Sequence, residues 1–286
     1  MLMPKPKGKT SSTDSSATDA TGSDGSTDDV IVVPDEGEIP SVEPDVPISE
    51  DAEEYYSSID DNATGATLLK ALNTLNSAKR KSLVSYAGFK TMFQYTEVDP
   101  KGTTPEGKMI GFYNNALVSS TWDNEATWNR EHVWPKSRGG NKIEGDILMT
   151  RPTSVKINSE RGNKVYGKSS DAYDPGQYVA EYRGIASRII LYGAIADLSL
   201  NINENTGSSS NSMGVLTDLL KWNLQYLPGG LDSDSLALRV EYNRNEVNAT
   251  KADLQGNRNP FVDHPEYACR IWGSTNASTK EVCGIK

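Results

Sequence analysis

The segment Thr127-Trp-Asn-Arg-Glu-His-Val-Trp-Pro-Lys-Ser137 sets one of the chain's two histidines beside a carboxylate and several cations. His132 follows Glu131 directly, lies between Arg130 and Arg138, and is close to Lys136. A second polar block, Arg151-Pro-Thr-Ser-Val-Lys-Ile-Asn-Ser-Glu-Arg-Gly-Asn-Lys164, comes soon after. Such a set suits metal-assisted cleavage of a phosphodiester, which needs an activated water, neutralised charge on the phosphate and a stabilised leaving oxygen. Histidine titrates near neutral pH and can take the proton of that water, which makes His132 the candidate general base. Mg²⁺ binds few protein oxygens and keeps waters and a phosphate oxygen, with Mn²⁺ or Ca²⁺ as substitutes. Glu131 and the amide oxygen of Asn158 are the candidate ligands, and Arg130 and Lys136 are candidate contacts to substrate phosphates.

A lone Glu-His pair also fits a structural strand end, and a basic stretch also fits a solvated face. The combination argues otherwise, since residues 129–168 carry nine Lys and Arg against four Asp and Glu. Adjacent residues on a strand point to opposite faces, so Glu131 and His132 can serve one phosphate only where the strand ends or bends. Pro135 supplies such an ending just after Val133-Trp134.

Around this block the spacing predicts a mixed, helix-dominated α+β body. Apolar residues at helical spacing mark helices over 64–81, 178–198 and 213–226, and more weakly over 235–253. Residues 85–95 read as a shorter helical or mixed segment, 108–113 as a strand and Asn114-Asn115 as a turn. Residues 137–141 read as a loop and 146–150 as a short buried strand, after which Pro152 would open the helix carrying Asn158. A β-loop-β-helix unit therefore lies at the centre. Trp128, Trp134, Trp222 and Trp272 are expected in the core.

Charge divides the chain into an acidic tail and a near-neutral body. Residues 1–54 hold three Lys and fourteen Asp and Glu, a net of −11, so the whole-chain −10 leaves +1 for residues 55–286. The tail, rich in Ser, Thr, Asp, Gly and Pro, is expected to be disordered because it cannot bury enough apolar surface to offset its ordering entropy. The acidic balance of the whole chain therefore does not exclude a polyanionic substrate. Residues 55–286 suffice for one domain with a real core. No apolar run is long enough to span a bilayer. The opening Met-Leu-Met-Pro-Lys-Pro-Lys has no apolar core of a secretory signal, which fits either an internal protein or one whose export signal was trimmed. Cys269 and Cys283 fit one disulfide or two free thiols, and no other Cys or His stands at zinc spacing.

Four ordered motifs carry a family resemblance. They are Asn129-Arg-Glu-His-Val-Trp-Pro-Lys-Ser137, Arg151-Pro-Thr153, Val155-Lys-Ile-Asn-Ser-Glu-Arg-Gly-Asn163 and Gly256-Asn-Arg-Asn-Pro-Phe-Val-Asp-His-Pro265. Together they resemble the bacterial endonuclease I family, nonspecific nucleases of the ββα-metal (His-Me finger) type, over roughly residues 55–273. The resemblance implies that His132 is the general base and that Glu131 and Asn158 hold Mg²⁺. It implies that an arginine steadies the cleaved phosphate, for which Arg138 is the best match. Arg151 and Arg161 match motif arginines, with phosphate contact or scaffolding of the site as their roles. His264 belongs to the last motif and is expected to be structural.

A secreted or cell-surface monomer acting on DNA or RNA through backbone phosphates, and leaving 5′-phosphate and 3′-hydroxyl ends, is the activity this resemblance implies. One departure stands out: relatives show Asp-x-His-Asn/His-Leu-Arg-Pro where this chain has Asp146-Ile-Leu-Met-Thr-Arg-Pro152. Leu148 and Met149 thus replace two polar residues. They give the rival reading, a catalytically inactive relative that binds polyanions at a surface, its only support. A ribonuclease or small-ester phosphodiesterase is the other rival.

Overall fold

The computed structural model describes residues 49–207 and 211–286. Residues 1–48, the bulk of the expected tail, lie outside the described residues. Residues 50–54, acidic enough to be grouped with that tail, instead open helix α1 (Glu50–Tyr56). The Ser49 hydroxyl accepts the Ala52 N–H, and Glu50, Asp51 and Glu53 place negative charge at the positive end of the helix. Ala52 and Tyr56 are buried, which docks that helix.

The fold is α+β and dominated by helices. Helix α2 (Gly65–Lys79) buries Leu68, Leu72 and Leu75, the spacing that predicts it. Helix α3 (Phe89–Thr96) starts later than the expected segment at 85, leaving Tyr86 in the turn before it. Strands β1 (Lys108–Ile110) and β2 (Leu117–Ser119) pair antiparallel. Between them Tyr113 and Asn115 adopt φ of 77° and 56°.

Strands β3 (Trp128–His132) and β4 (Thr150–Ser154) also pair antiparallel, with Glu131 opposite Arg151 and His132 opposite Thr150. Two corrections apply here. Residues 146–149 form a turn, not the expected strand, and Pro152 stands inside β4, not at a helix start. A proline is tolerated in a strand where its nitrogen is not needed as a ladder donor, and Pro152 still offers its carbonyl to the Phe112 N–H at 2.8 Å. Helix α4 (Val155–Arg161) then begins at the cap Ser154, whose hydroxyl accepts the Ile157 N–H. It ends at Gly162, whose φ of 56° suits glycine. Within the expected 137–141 loop, two short 3₁₀ turns run through Lys136–Arg138 and Gly140–Ile143.

Helix α5 (Tyr182–Ala196) is buried on nearly every face and forms the hub of the core. Around it pack α6 (Leu216–Gln225), α7 (Leu236–Thr250) and α8 (Pro260–Asp263), with the short parallel pair β5 (Asn201–Ile202) and β6 (Ser212–Met213) alongside. A Cβ on Gly193 of α5 would stand 2.7 Å from the Trp134 ring and 3.2 Å from Met149 Cε. This close approach seats the residues just after His132 against the hub. It also places Met149 of the departing Leu148-Met149 pair in the core.

Trp128, Trp134 and Trp222 are buried, and Trp272 packs on Phe261. Helices α9 (Tyr267–Trp272) and α10 (Ala277–Val282) close the chain, and a disulfide joins Cys269 to Cys283. Among the described residues no helix is long and apolar enough to cross a membrane.

The last motif is a set of staples. Arg258 donates through Nε and Nη2 to both oxygens of Asp263 at 2.8 Å, and the Tyr56 hydroxyl donates to the same carboxylate at 2.8 Å. His264 stacks on Tyr267 with centroids 4.5 Å apart, and its Nδ1 lies 3.0 Å from Glu266.

Another staple, Arg239, donates through Nε and Nη2 to the two oxygens of buried Asp99 at 2.9 Å each. This guanidinium holds the Asp99 carboxyl well below the usual carboxylate range. A carboxyl depressed in the folded state contributes stability above its unfolded value of about 4, and that stability is lost as pH falls through the folded value. Asp99→Asn should therefore lower the melting temperature at about pH 7 and show a shallower further fall toward about pH 2 than the parent chain, measured by thermal melts.

Candidate active site

Arg130, Glu131, His132, Pro135, Lys136, Asn158, Arg161 and Asn163 line one cleft of about 330 Å³. Strand β3 contributes the first three and α4 contributes Asn158 and Arg161. Six of the eight sequence-derived candidates thus meet in one place. The strand alternation is respected: Glu131 turns inward and is buried, whereas His132, the last residue of β3, stands half-buried at the cleft.

Glu131 is held by a small network. The Tyr113 hydroxyl donates to Glu131 Oε1 at 2.7 Å and lies 2.6 Å from the Tyr166 hydroxyl. Arg161 Nε approaches the same oxygen at 3.4 Å. Burial pushes the Glu131 carboxyl up, while Arg161 and then Tyr113 act in the opposite direction. Arg161 also donates through Nη1 to the His132 carbonyl at 3.2 Å and through Nη2 to the Val133 carbonyl. Its guanidinium bolts the end of α4 to the end of β3 and is itself buried.

Asn158 is fixed by a neighbouring amide, since its Nδ2 donates to Asn129 Oδ1 at 2.8 Å. That leaves the Asn158 Oδ1 free of protein donors among the described residues. A carboxylate and an amide oxygen on one cleft fit a hard cation, which takes oxygen ligands and keeps several waters. No cluster of three or more His, Cys, Asp or Glu with metal-site geometry occurs among the described residues.

The His132 imidazole is pushed down to about 4, first by burial and then by Lys136. It is therefore neutral at neutral pH. Its Nε2 is buried with no hydrogen-bond partner among the described residues.

The remaining candidates fall into three situations. Lys136 reaches the cleft and pairs with Glu144. Arg130 lines the cleft, yet its Nη1 donates to the Tyr86 carbonyl at 2.9 Å and its Nη2 to Glu125 at 3.2 Å. Arg138 and Arg151 are not brought into the cleft. Arg138 donates to the carbonyls of Asn163, Gly207 and Ser212 at 2.6, 3.0 and 3.4 Å, tying the segment after α4 to Gly207 and to the start of β6. Arg151 is buried against Glu97, with Nη2 at 2.8 Å from the carboxylate.

Leu148 and Met149 are buried core residues and do not line the cleft. Tyr86, Tyr113 and Tyr166 are residues at this site that sequence reasoning passed over. The φ of Tyr113, unusual for a bulky residue, shows only in the folded chain.

Comparison with known proteins agrees with the family resemblance. The family model described as Endonuclease I matches residues 64–182. An extracellular ribonuclease of Bacillus amyloliquefaciens is 33% identical over 247 residues, covering 78% of this chain and 80% of that protein. An extracellular ribonuclease of Bacillus subtilis is 32% identical over 246 residues, with 78% and 79% covered. No solved structure matches. With the motifs in order and both relatives matched along most of their length, the chain belongs to the endonuclease I family.

Proposed function

We propose that this chain is a secreted, divalent-metal-dependent endonuclease that hydrolyses phosphodiester bonds of nucleic acid, with His132 as general base. One observation carries the reading. A neutral imidazole, a buried carboxylate and an amide with a free oxygen, drawn from a strand end and the following helix, line a single cleft. The β3, β4 and α4 elements are read as a ββα-metal unit.

In this mechanism the His132 imidazole accepts a proton from the attacking water. Glu131 and Asn158 would hold Mg²⁺. When bound, the cation would neutralise phosphate charge and stabilise the leaving oxygen. Tyr113 and Arg161 keep the Glu131 carboxylate in place, and Asn129 keeps the Asn158 amide turned. Lys136, at the cleft mouth, meets the phosphate backbone. Contacts of that kind carry no base information, which supports nonspecific cleavage.

Arg138 and Arg151 act as scaffold in this reading, since each spends its donors on protein oxygens. The Leu148-Met149 departure leaves the three central residues intact, which favours an active enzyme over a polyanion-binding relative.

A specific observation also favours RNA as a substrate: both curated relatives are named extracellular ribonucleases. The same names, and a disulfide that suits an oxidising compartment, support export.

Purified protein incubated with supercoiled DNA and with single-stranded RNA, with Mg²⁺ and then with EDTA, tests the activity. Cleavage of either polymer that stops with EDTA is expected, and no cleavage with any divalent ion would favour the binding relative. His132→Ala should lower cleavage by at least about 10²-fold, the lower range for a lost general base, and near-normal cleavage would remove His132 from that role. Asn158→Ala should raise the Mg²⁺ concentration needed for half-maximal cleavage, read from a metal titration. Tyr113→Phe should cost about 1.5–3 kcal/mol of stability in urea unfolding, as for a lost hydrogen bond to a charged group.

A further inference from the structure

We infer that Tyr86 is a positioning residue for His132, orienting the imidazole by ring stacking in place of a hydrogen bond. The inference rests on the reading of His132 as the base. A general base is ordinarily aligned by a third group, most often a carboxylate or a backbone carbonyl that holds its second nitrogen. No such bond to the His132 ring occurs among the described residues, and Nε2 is buried without a partner.

A face contact takes its place. The Tyr86 ring lies parallel to the imidazole, with centroids 5.3 Å apart and planes inclined by 17°. Parallel rings at this distance restrain rotation about the imidazole's χ angles, which is the freedom that a hydrogen bond would otherwise remove.

Tyr86 is itself fixed. His132 and Arg130 are two apart on β3 and so project to the same side of the strand. The Arg130 guanidinium sits 3.7 Å from the Tyr86 ring centroid and 4.4 Å from that of Trp122. Arg130 also donates to the Tyr86 carbonyl at 2.9 Å, gripping both the backbone and the ring of the residue. The Phe89 ring meets Tyr86 edge-on at 6.3 Å.

Arg130, a candidate phosphate contact by type, therefore has its face and two of its donors engaged within the protein, and its work is to hold Tyr86. Tyr86 is 36% exposed, so its position is set by these contacts and not by enclosure in the core.

The chain's two histidines make the test direct, because His132 and His264 give the only imidazole signals in a ring-proton NMR spectrum. Tyr86→Phe keeps the ring and Tyr86→Ala removes it. The expected result for Tyr86→Ala is a shift of the His132 ring protons with those of His264 unmoved. Its kcat should fall about 10- to 100-fold, as small misplacements of a reacting group can cause, with KM within about twofold. Tyr86→Phe should retain the parental His132 shifts and most of the parental kcat.

Unchanged His132 signals and unchanged kcat in Tyr86→Ala would overturn the positioning role. So would a Tyr86→Phe variant as slow as Tyr86→Ala. The two readings separate cleanly. If His132→Ala cleaves normally, the base assignment fails whatever Tyr86 does. If His132→Ala is inactive while Tyr86→Ala turns over normally, the base stands and only the role of Tyr86 falls.

Discussion

Arg161 is the constraint on which the cleft depends. One buried guanidinium reaches the Glu131 carboxylate and the main-chain carbonyls of His132 and Val133. It thereby fixes where the helix ends relative to where the strand ends. Glu131 and Asn158 sit on different elements, and nothing within either element alone would hold them at a common distance. The Arg161 and Glu131 charges are both removed from solvent, so neither is tolerable without the other. The pair is thus less a source of net stability than a condition for the two elements to share one arrangement.

Behind that brace the protein uses its interior to aim the chain. Trp134 presses on α5 at Gly193, and its Nε1 donates to the Arg138 carbonyl at 2.7 Å. The segment leaving β3 is therefore seated on the most buried helix of the fold. Arg138 continues the work outward by gripping the carbonyls of Asn163, Gly207 and the β6 residue Ser212. Cations that look like a phosphate-binding set in one dimension divide in three. Lys136 stays at the cleft, while Arg138 and Arg151 serve the scaffold.

That division explains what could be read from the sequence and what could not. The strand, the helix and the trio Glu131, His132 and Asn158 lie within about thirty residues, and local rules of alternation, capping and spacing reach that far. Helices α2, α5 and α6 follow from apolar periodicity. Pro152 misled because proline suits both a first helical turn and an unneeded donor position in a strand, and only the register with Arg130 decides between them. Residues 50–54 misled because their acidity reads equally as a solvated tail or as the charged first turn of a helix. Tyr86 and Tyr113 left no local signal, since each acts across a gap in the chain, and an arginine's partner is likewise invisible until the fold supplies it.

The contact between Asn129 and Asn158 has a consequence of its own. One neutral amide sets the rotation of another, and neither gains or loses a proton across the range of pH in which proteins stay folded. The oxygen that Asn158 offers is thus oriented independently of acidity, unlike a histidine or an exposed carboxylate in the same position. The pairing of Asn129 with Asn158 therefore holds the helix to the strand through groups that have no proton to lose, whatever charge the cleft around them takes up.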